Sequence, residues 1–182
     1  EDSTVNSVAG SGVSGAAMIV RRSRITSLTN DGLNPVGTGG LESVIEYNRI
    51  ERLGPRFEDA HHDGIQIWAG GNVTIRCNWI SGWNTSAILI KSDVGPVSGV
   101  LVEENYLANP DGYITLYVRD SKGGRPENIT IRNNVFGDGT PISAEDDTVF
   151  VRDPATRERA IAGGERSAST WVVWYGNVDV QG

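Results

Sequence analysis

The chain has a single cysteine, Cys77, in 182 residues. No intrachain disulfide can form, so packing and hydrogen bonds must hold the fold. Histidine is nearly as scarce, and the two present, His61 and His62, are neighbours. Without a third His or Cys at ligand spacing, a zinc site is excluded. No apolar run is long enough to span a bilayer, which argues against membrane insertion. The opening EDSTVNSVAGSGVSGAA has no apolar signal-peptide core and reads as the start of a mature or trimmed chain. Bases are outnumbered, 16 Lys and Arg against 23 Asp and Glu, for a net charge of −7. That balance speaks against a nucleic-acid partner. It leaves an acidic polysaccharide open, because local columns of charge matter more than the sum. Also missing is any 3.6-residue apolar period, which excludes a helical repeat.

What is present is a repeat. IVRRSRI, VIEYNRI, VTIRCNWI, VLVEENYL and ITIRNNVF are versions of one β-rich run, with WVVWYGNV as a degraded sixth. Aligned on Ser23, Asn48, Asn78, Asn105, Asn134 and Asn177, the copies recur 25, 30, 27, 29 and 43 residues apart. A period of that order means one structural unit stacked on itself. Three positions before the anchor stand Val20, Ile45, Ile75, Val102, Ile131 and Trp174. Five before it stand Met18, Ser43, Val73, Val100, Ile129 and Val172. This spacing of two is that of a half-buried strand. An apolar column returns two positions after the anchor (Ile25, Ile50, Ile80, Leu107, Phe136), so the chain bends at the anchor and points inward again.

Between the buried columns the residues read Arg21, Glu46, Arg76, Glu103, Arg132. Stacked about 4.8 Å apart, each charge lies between opposite charges. The Asn column has its own logic. A side-chain amide can donate to one neighbouring copy and accept from the other, and Asn tolerates the left-handed backbone of a sharp bend. A second strand lies between anchors: DGLNPV, DGIQIW, SAILIK, TLYV and TVFV. Equivalent strands must run the same way. The expected fold is therefore all-β, a right-handed parallel β-helix of about six coils. An antiparallel sandwich is the fallback. Residues 1–16 read as an N-terminal segment or cap, and 17–182 as the solenoid, with a long insertion at 137–170.

The string HHDGIQIWAGGNVTIRCNWI, followed by SAILIKSDVGPVSGVLVEENYL, ITLYVRD and ENITIRNNVFGDG, resembles the parallel β-helix proteins of the pectate-lyase-like superfamily. The likeness runs from about Ala17 to Gly182 and is strongest to actinobacterial secreted proteins and actinobacteriophage tail proteins. It implies an extracellular or virion-tail location and a polysaccharide partner. It is compatible with a lyase or epimerase acting on uronates, or with a non-catalytic spike or recognition module. Fold alone does not choose among them. Polysaccharide lyases of this kind usually have more coils and an N-terminal capping helix, and neither is visible here. Open ends of parallel strands need cover, which points to a homo-oligomer or an upstream domain.

Candidate chemistry follows from columns and turns. The second strand ends in Trp68, Lys91, Arg119 and Arg152, with Asp93, Asp120 and Asp153 close behind. A uronate lyase needs a cation for the carboxylate and a base for the C5 proton. Lys91 and Arg119 are candidates, with His61 beside Asp63 as an alternative base. The bland readings are a solvated salt-bridge ladder for the column and a plain Asp-Gly turn for Asp63-Gly64. Trp68 and Trp83 are candidates for stacking on sugar, with Arg152, Asp93 and Asp120 as binding partners. Trp79 and Tyr106 share a column and have each other to stack on. Acidic turns (Asp31, Asp63, Asp111, Asp146, Asp147) invite calcium, but no compact calcium loop exists, and no cofactor is expected. The sequons at Asn72, Asn84 and Asn128 are read as strand entries.

Overall fold

A computed structural model describes residues 1–6, 10–26, 29–36, 41–52, 61–109, 115–119, 121–137, 142–144, 149–151 and 172–179. Nearly all its strands belong to three parallel sheets. Sheet I holds β2 (Val13–Ala16), β5 (Leu33–Val36), β8 (Ile65–Ile67), β11 (Ile88–Lys91) and β14 (Leu116–Arg119). Sheet II holds β3 (Ile19–Arg21), β6 (Ser43–Glu46), β9 (Gly70–Arg76), β12 (Val97–Glu103), β15 (Glu127–Arg132) and β19 (Val172–Tyr175). Sheet III holds β1 (Thr4–Asn6), β4 (Arg24–Thr26), β7 (Arg49–Glu51), β10 (Trp79–Ser81), β13 (Tyr106–Ala108), β16 (Val135–Phe136) and β20 (Val178–Asp179). The chain visits sheets I, II and III in turn, so the architecture is a parallel β-solenoid and the sandwich fallback is excluded.

Two details, the number of turns and the place of TVFV, correct the sequence reading, and two extend it. From β2 to β14 the solenoid makes about four turns, fewer than the six coils counted from the anchors; among the described residues the last coil, at Asn177, has no sheet I strand. Each full coil has three strands: the short run after the anchor forms sheet III. The fifth second strand, TVFV, does not join the stack. It is β18 (Val149–Val151), antiparallel to β17 (Ile142–Ala144), and β17 lies next to β14. The segment 1–16 carries β1 and β2, which pair in parallel with β4 and β5. The rest of the 137–170 insertion lies outside the described residues.

The inward columns meet in one core. Ile25, Ile45, Ile50, Ile65, Ile67, Ile75, Ile80, Ile88, Ile90 and Ile131 are all buried there. β-Branched side chains suit this position, since they pack well on a pleated surface.

The corner between sheets II and III is closed by the Asn ladder. Asn105 Oδ1 accepts from the backbone N–H and the Nδ2 of Asn78, each at 3.0 Å. Asn105 donates its own N–H and Nδ2 to Asn134 Oδ1, and Nδ2 also to the Ile75 carbonyl. Asn48, Asn78, Asn134 and Asn177 continue the pattern. The left-handed residue is not the Asn but the one before it: Arg22, Tyr47, Cys77, Glu104 and Asn133 have φ between 46° and 57°. The Asn side chain holds that strained neighbour in place. Asn72 and Asn128 are also left-handed, with Gly99 at the equivalent place between them, which supports the structural reading of their sequons.

The alternating charges pair as the repeat register requires. Arg21 and Arg76 both bridge to Glu46, and Arg132 bridges to Glu103. The Arg76 guanidinium holds the Glu46 carboxyl below its ordinary range.

Candidate functional site

Sheet I presents two columns on its outer face. One runs Asn34, Gln66, Leu89, Tyr117, of which Asn34, Leu89 and Tyr117 are buried. The other contains Lys91, directly paired with Arg119. Trp68 follows Ile67, the partner of Ile90, and so stands beside Lys91. Trp68 and Lys91 are half-buried and Arg119 is exposed. The structure thus brings three members of the predicted column together at consecutive coils, about 4.8 Å apart. Arg152 and Asp120 lie outside the described residues.

Lys91 forms an ion pair with Asp93 at 2.9 Å. Burial works against ionisation of Asp93. The Lys91 ammonium and the Ser121 hydroxyl outweigh it and hold the carboxyl below its ordinary value. Ser121 donates to Asp93 Oδ1 at 2.7 Å. The sequence reading missed Ser121. Its only signal was its place two residues after Arg119, matching Asp93 two residues after Lys91.

The His61–Asp63 pair is not assembled. His61 is exposed, whereas His62 and Asp63 are both buried. The expectation assumed strand alternation, but the strand begins only at Ile65. His62 Nδ1 is hydrogen-bonded to the Arg52 guanidinium, and its backbone N–H donates to Thr85 Oγ1 at 3.2 Å. Burial, reinforced by the Arg52 charge, lowers its basicity. Asp63 is fully buried, and both carboxyl oxygens lack a hydrogen-bond partner. Burial, with the nearby Asp31 charge adding to it, pushes its pKa up to about 8. Asp31 is itself buried and raised by burial, but it accepts from Asn34 Nδ2 and from the Asp63 N–H. These acids sit inside the wall beneath the face, out of a ligand's reach.

Gly64 explains part of this rigidity. A Cβ there would lie 2.5 Å from the Ala87 carbonyl oxygen and 2.9 Å from Trp83 Nε1. Gly64→Ala is therefore expected to cost about 1–3 kcal/mol, measured as a lowered midpoint in chemical denaturation.

Trp83 corrects another expectation. It is fully buried in the core, with Nε1 3.4 Å from the Ile50 carbonyl, and offers no face to a sugar. It fills the space left by glycines 32 and 64. Trp79 and Tyr106 stack on each other at 4.2 Å, and Arg49 lies over the Trp79 ring. Both faces of Trp79 are thus occupied. Asp111, Asp146 and Asp147 lie outside the described residues. Among the described residues no three His, Cys, Asp or Glu side chains gather into a metal-binding group.

The chain matches no protein-family model, no curated protein and no solved structure. The resemblance to the pectate-lyase-like superfamily therefore rests on the motifs quoted above, and the parallel β-solenoid is the level at which structure supports it.

Proposed function

We propose that this chain is a secreted or virion-borne β-solenoid that binds a uronate-containing polysaccharide on the outer face of sheet I. The observation that carries this reading is the pairing of Lys91 with Arg119 beside Trp68. Two cations at coil spacing suit carboxylates displayed along a polymer, and a half-buried indole suits the apolar face of a sugar ring. Arg119 provides planar two-point recognition, and Lys91 a point charge.

Cleavage by β-elimination, or C5 epimerisation, is the extension of this reading. In elimination a base removes the C5 proton, the electron pair becomes the C4=C5 bond, and the C4–O bond breaks as the leaving oxygen gains a proton. Lys91 and Arg119 are the groups at the face for this chemistry. Exposed His61 has no hydrogen bond to buried Asp63, which supports the second reading, a non-catalytic module for glycan recognition or spike assembly.

The test is a polysaccharide panel assayed with and without calcium, for binding and for unsaturated, ultraviolet-absorbing product. Polyuronates are expected to bind in a salt-sensitive way. Lys91→Ala and Arg119→Ala should each weaken binding about tenfold, in line with the loss of one charge-assisted hydrogen bond. Product that disappears in both variants would establish the lyase. Binding without product would establish the module, and neutral glycans bound as tightly as uronates would sink the carboxylate reading.

A further inference from the structure

We propose that Ser121 is a positioning residue that aims Asp93 at the ligand's hydroxyl groups, which makes Asp93 a specificity determinant of the sheet I face. This rests on the glycan-binding reading and deepens it. Lys91 Nζ and Ser121 Oγ both bind the same oxygen, Asp93 Oδ1, at 2.9 and 2.7 Å. The two donors come from successive coils. With Oδ1 held from two sides, the carboxylate cannot rotate freely. Its side chain stays 31% exposed, so the carboxylate remains open to a ligand on the face where Lys91 and Arg119 pair. Cations beside a carboxylate held in place match a ligand that carries carboxylates and free hydroxyls. They suit a polymer esterified or sulfated at those hydroxyls poorly.

The backbone locks this arrangement. The Asp93 N–H donates to the Lys91 carbonyl at 2.9 Å, closing a tight turn at the end of β11. In the next coil, Ser121 and Gly124 exchange backbone hydrogen bonds, and the Gly123 N–H donates to the Ser92 carbonyl at 2.7 Å. A Cβ on Gly123 would lie 2.5 Å from the Gly95 backbone and 2.8 Å from the Ser92 carbonyl oxygen. Only glycine lets the 121–124 turn settle onto the 92–95 turn closely enough for the Ser121 hydroxyl to reach Asp93.

The experiment compares the parent, Ser121→Ala and Ser121→Thr as full chains. It measures polygalacturonate binding and follows the Asp93 carboxyl by NMR titration. Ser121→Ala removes a donor to the charged form, so the Asp93 titration should move to higher pH. Binding should weaken about tenfold at unchanged thermal stability, as expected for one charge-assisted hydrogen bond. Ser121→Thr should restore both. A merely structural serine would change stability without moving the titration. An Asp93 titration that stays put, or unweakened binding in Ser121→Ala, overturns the proposal and leaves the glycan reading standing. A parent protein that binds no uronate polymer overturns the glycan reading, and the proposal with it.

Discussion

Asp63→Asn is expected to be more stable than the parent protein at pH 8, and to lose most of the parent's decline in stability with rising pH. Asp63 is fully buried with both oxygens unpartnered. An ionised carboxylate there would face a desolvation penalty that the neighbouring Ser86 and the Lys91 charge offset only in part. The folded protein therefore keeps a proton that the unfolded chain releases. In the window between the ordinary value of 3.8 and about 8, folding takes up that proton, so stability falls as pH rises. The slope approaches about 1.4 kcal/mol per pH unit from this one group, an upper bound because water entry or relaxation would reduce it. Above about 8 the group is ionised in both states, and the loss is complete. Asparagine has the same shape and no charge to desolvate. Urea denaturation at a series of pH values measures the effect. A flat parent profile across the window, or a variant less stable than the parent throughout it, would contradict the assignment.

The acid end behaves oppositely and serves as an internal control. Glu46 is held below its ordinary range by hydrogen bonding to Arg76. Burial opposes ionisation of Glu51, but Arg49 and Arg24 outweigh it and lower its pKa as well. Stability from these acids is present above their unfolded values and is lost as pH falls through the folded ones. The parent should therefore show a maximum at mildly acidic pH, while Asp63→Asn should keep only the acid-side fall.

Asn105→Ala, in the middle of the ladder, is expected to cost about 3–5 kcal/mol. It removes the acceptor for the Asn78 N–H and amide, and the side-chain donor to the Ile75 carbonyl. These groups are buried and cannot turn to water. It also frees Glu104 from the left-handed conformation, φ 56°, that the ladder imposes. For a chain of this size the loss corresponds to a fall of about 10 °C in Tm. Ser23→Ala, at the end of the ladder, should cost about 1 kcal/mol or less. Ser23 Oγ makes only a 3.3 Å contact with the Ser3 N–H and a 2.8 Å bond to the Arg21 carbonyl. Equal effects at the two positions would argue that the Asn column is not a continuous ladder.

The sequence made the stack legible because its physics repeats. Columns at spacing two, alternating charge and a recurring amide all report on neighbours one coil away, and Glu46 between Arg21 and Arg76 is where that reasoning meets the structure most closely. The bends were harder. Tyr47, Cys77 and Glu104 share a backbone conformation but no chemistry, since the Asn beside them does the holding. β1 and β2 were hidden in TVN and VSGA, which carry too little apolar side chain to read as strands. At the candidate site the Lys91–Arg119 column was readable from register. The burial of Trp83 was not, because it depends on glycines 32 and 64 leaving room across coils. Asp63 and His61 failed as a pair because periodicity was extended one turn too early.

The most direct test of the account is where a uronate trisaccharide sits in a crystal of this protein. A sugar ring is expected against Trp68, with a carboxylate oxygen within hydrogen-bonding distance of Lys91 Nζ or the Arg119 guanidinium. A trisaccharide bound instead over Trp79 and Tyr106 on sheet III, or an empty sheet I face at saturating ligand, would contradict it.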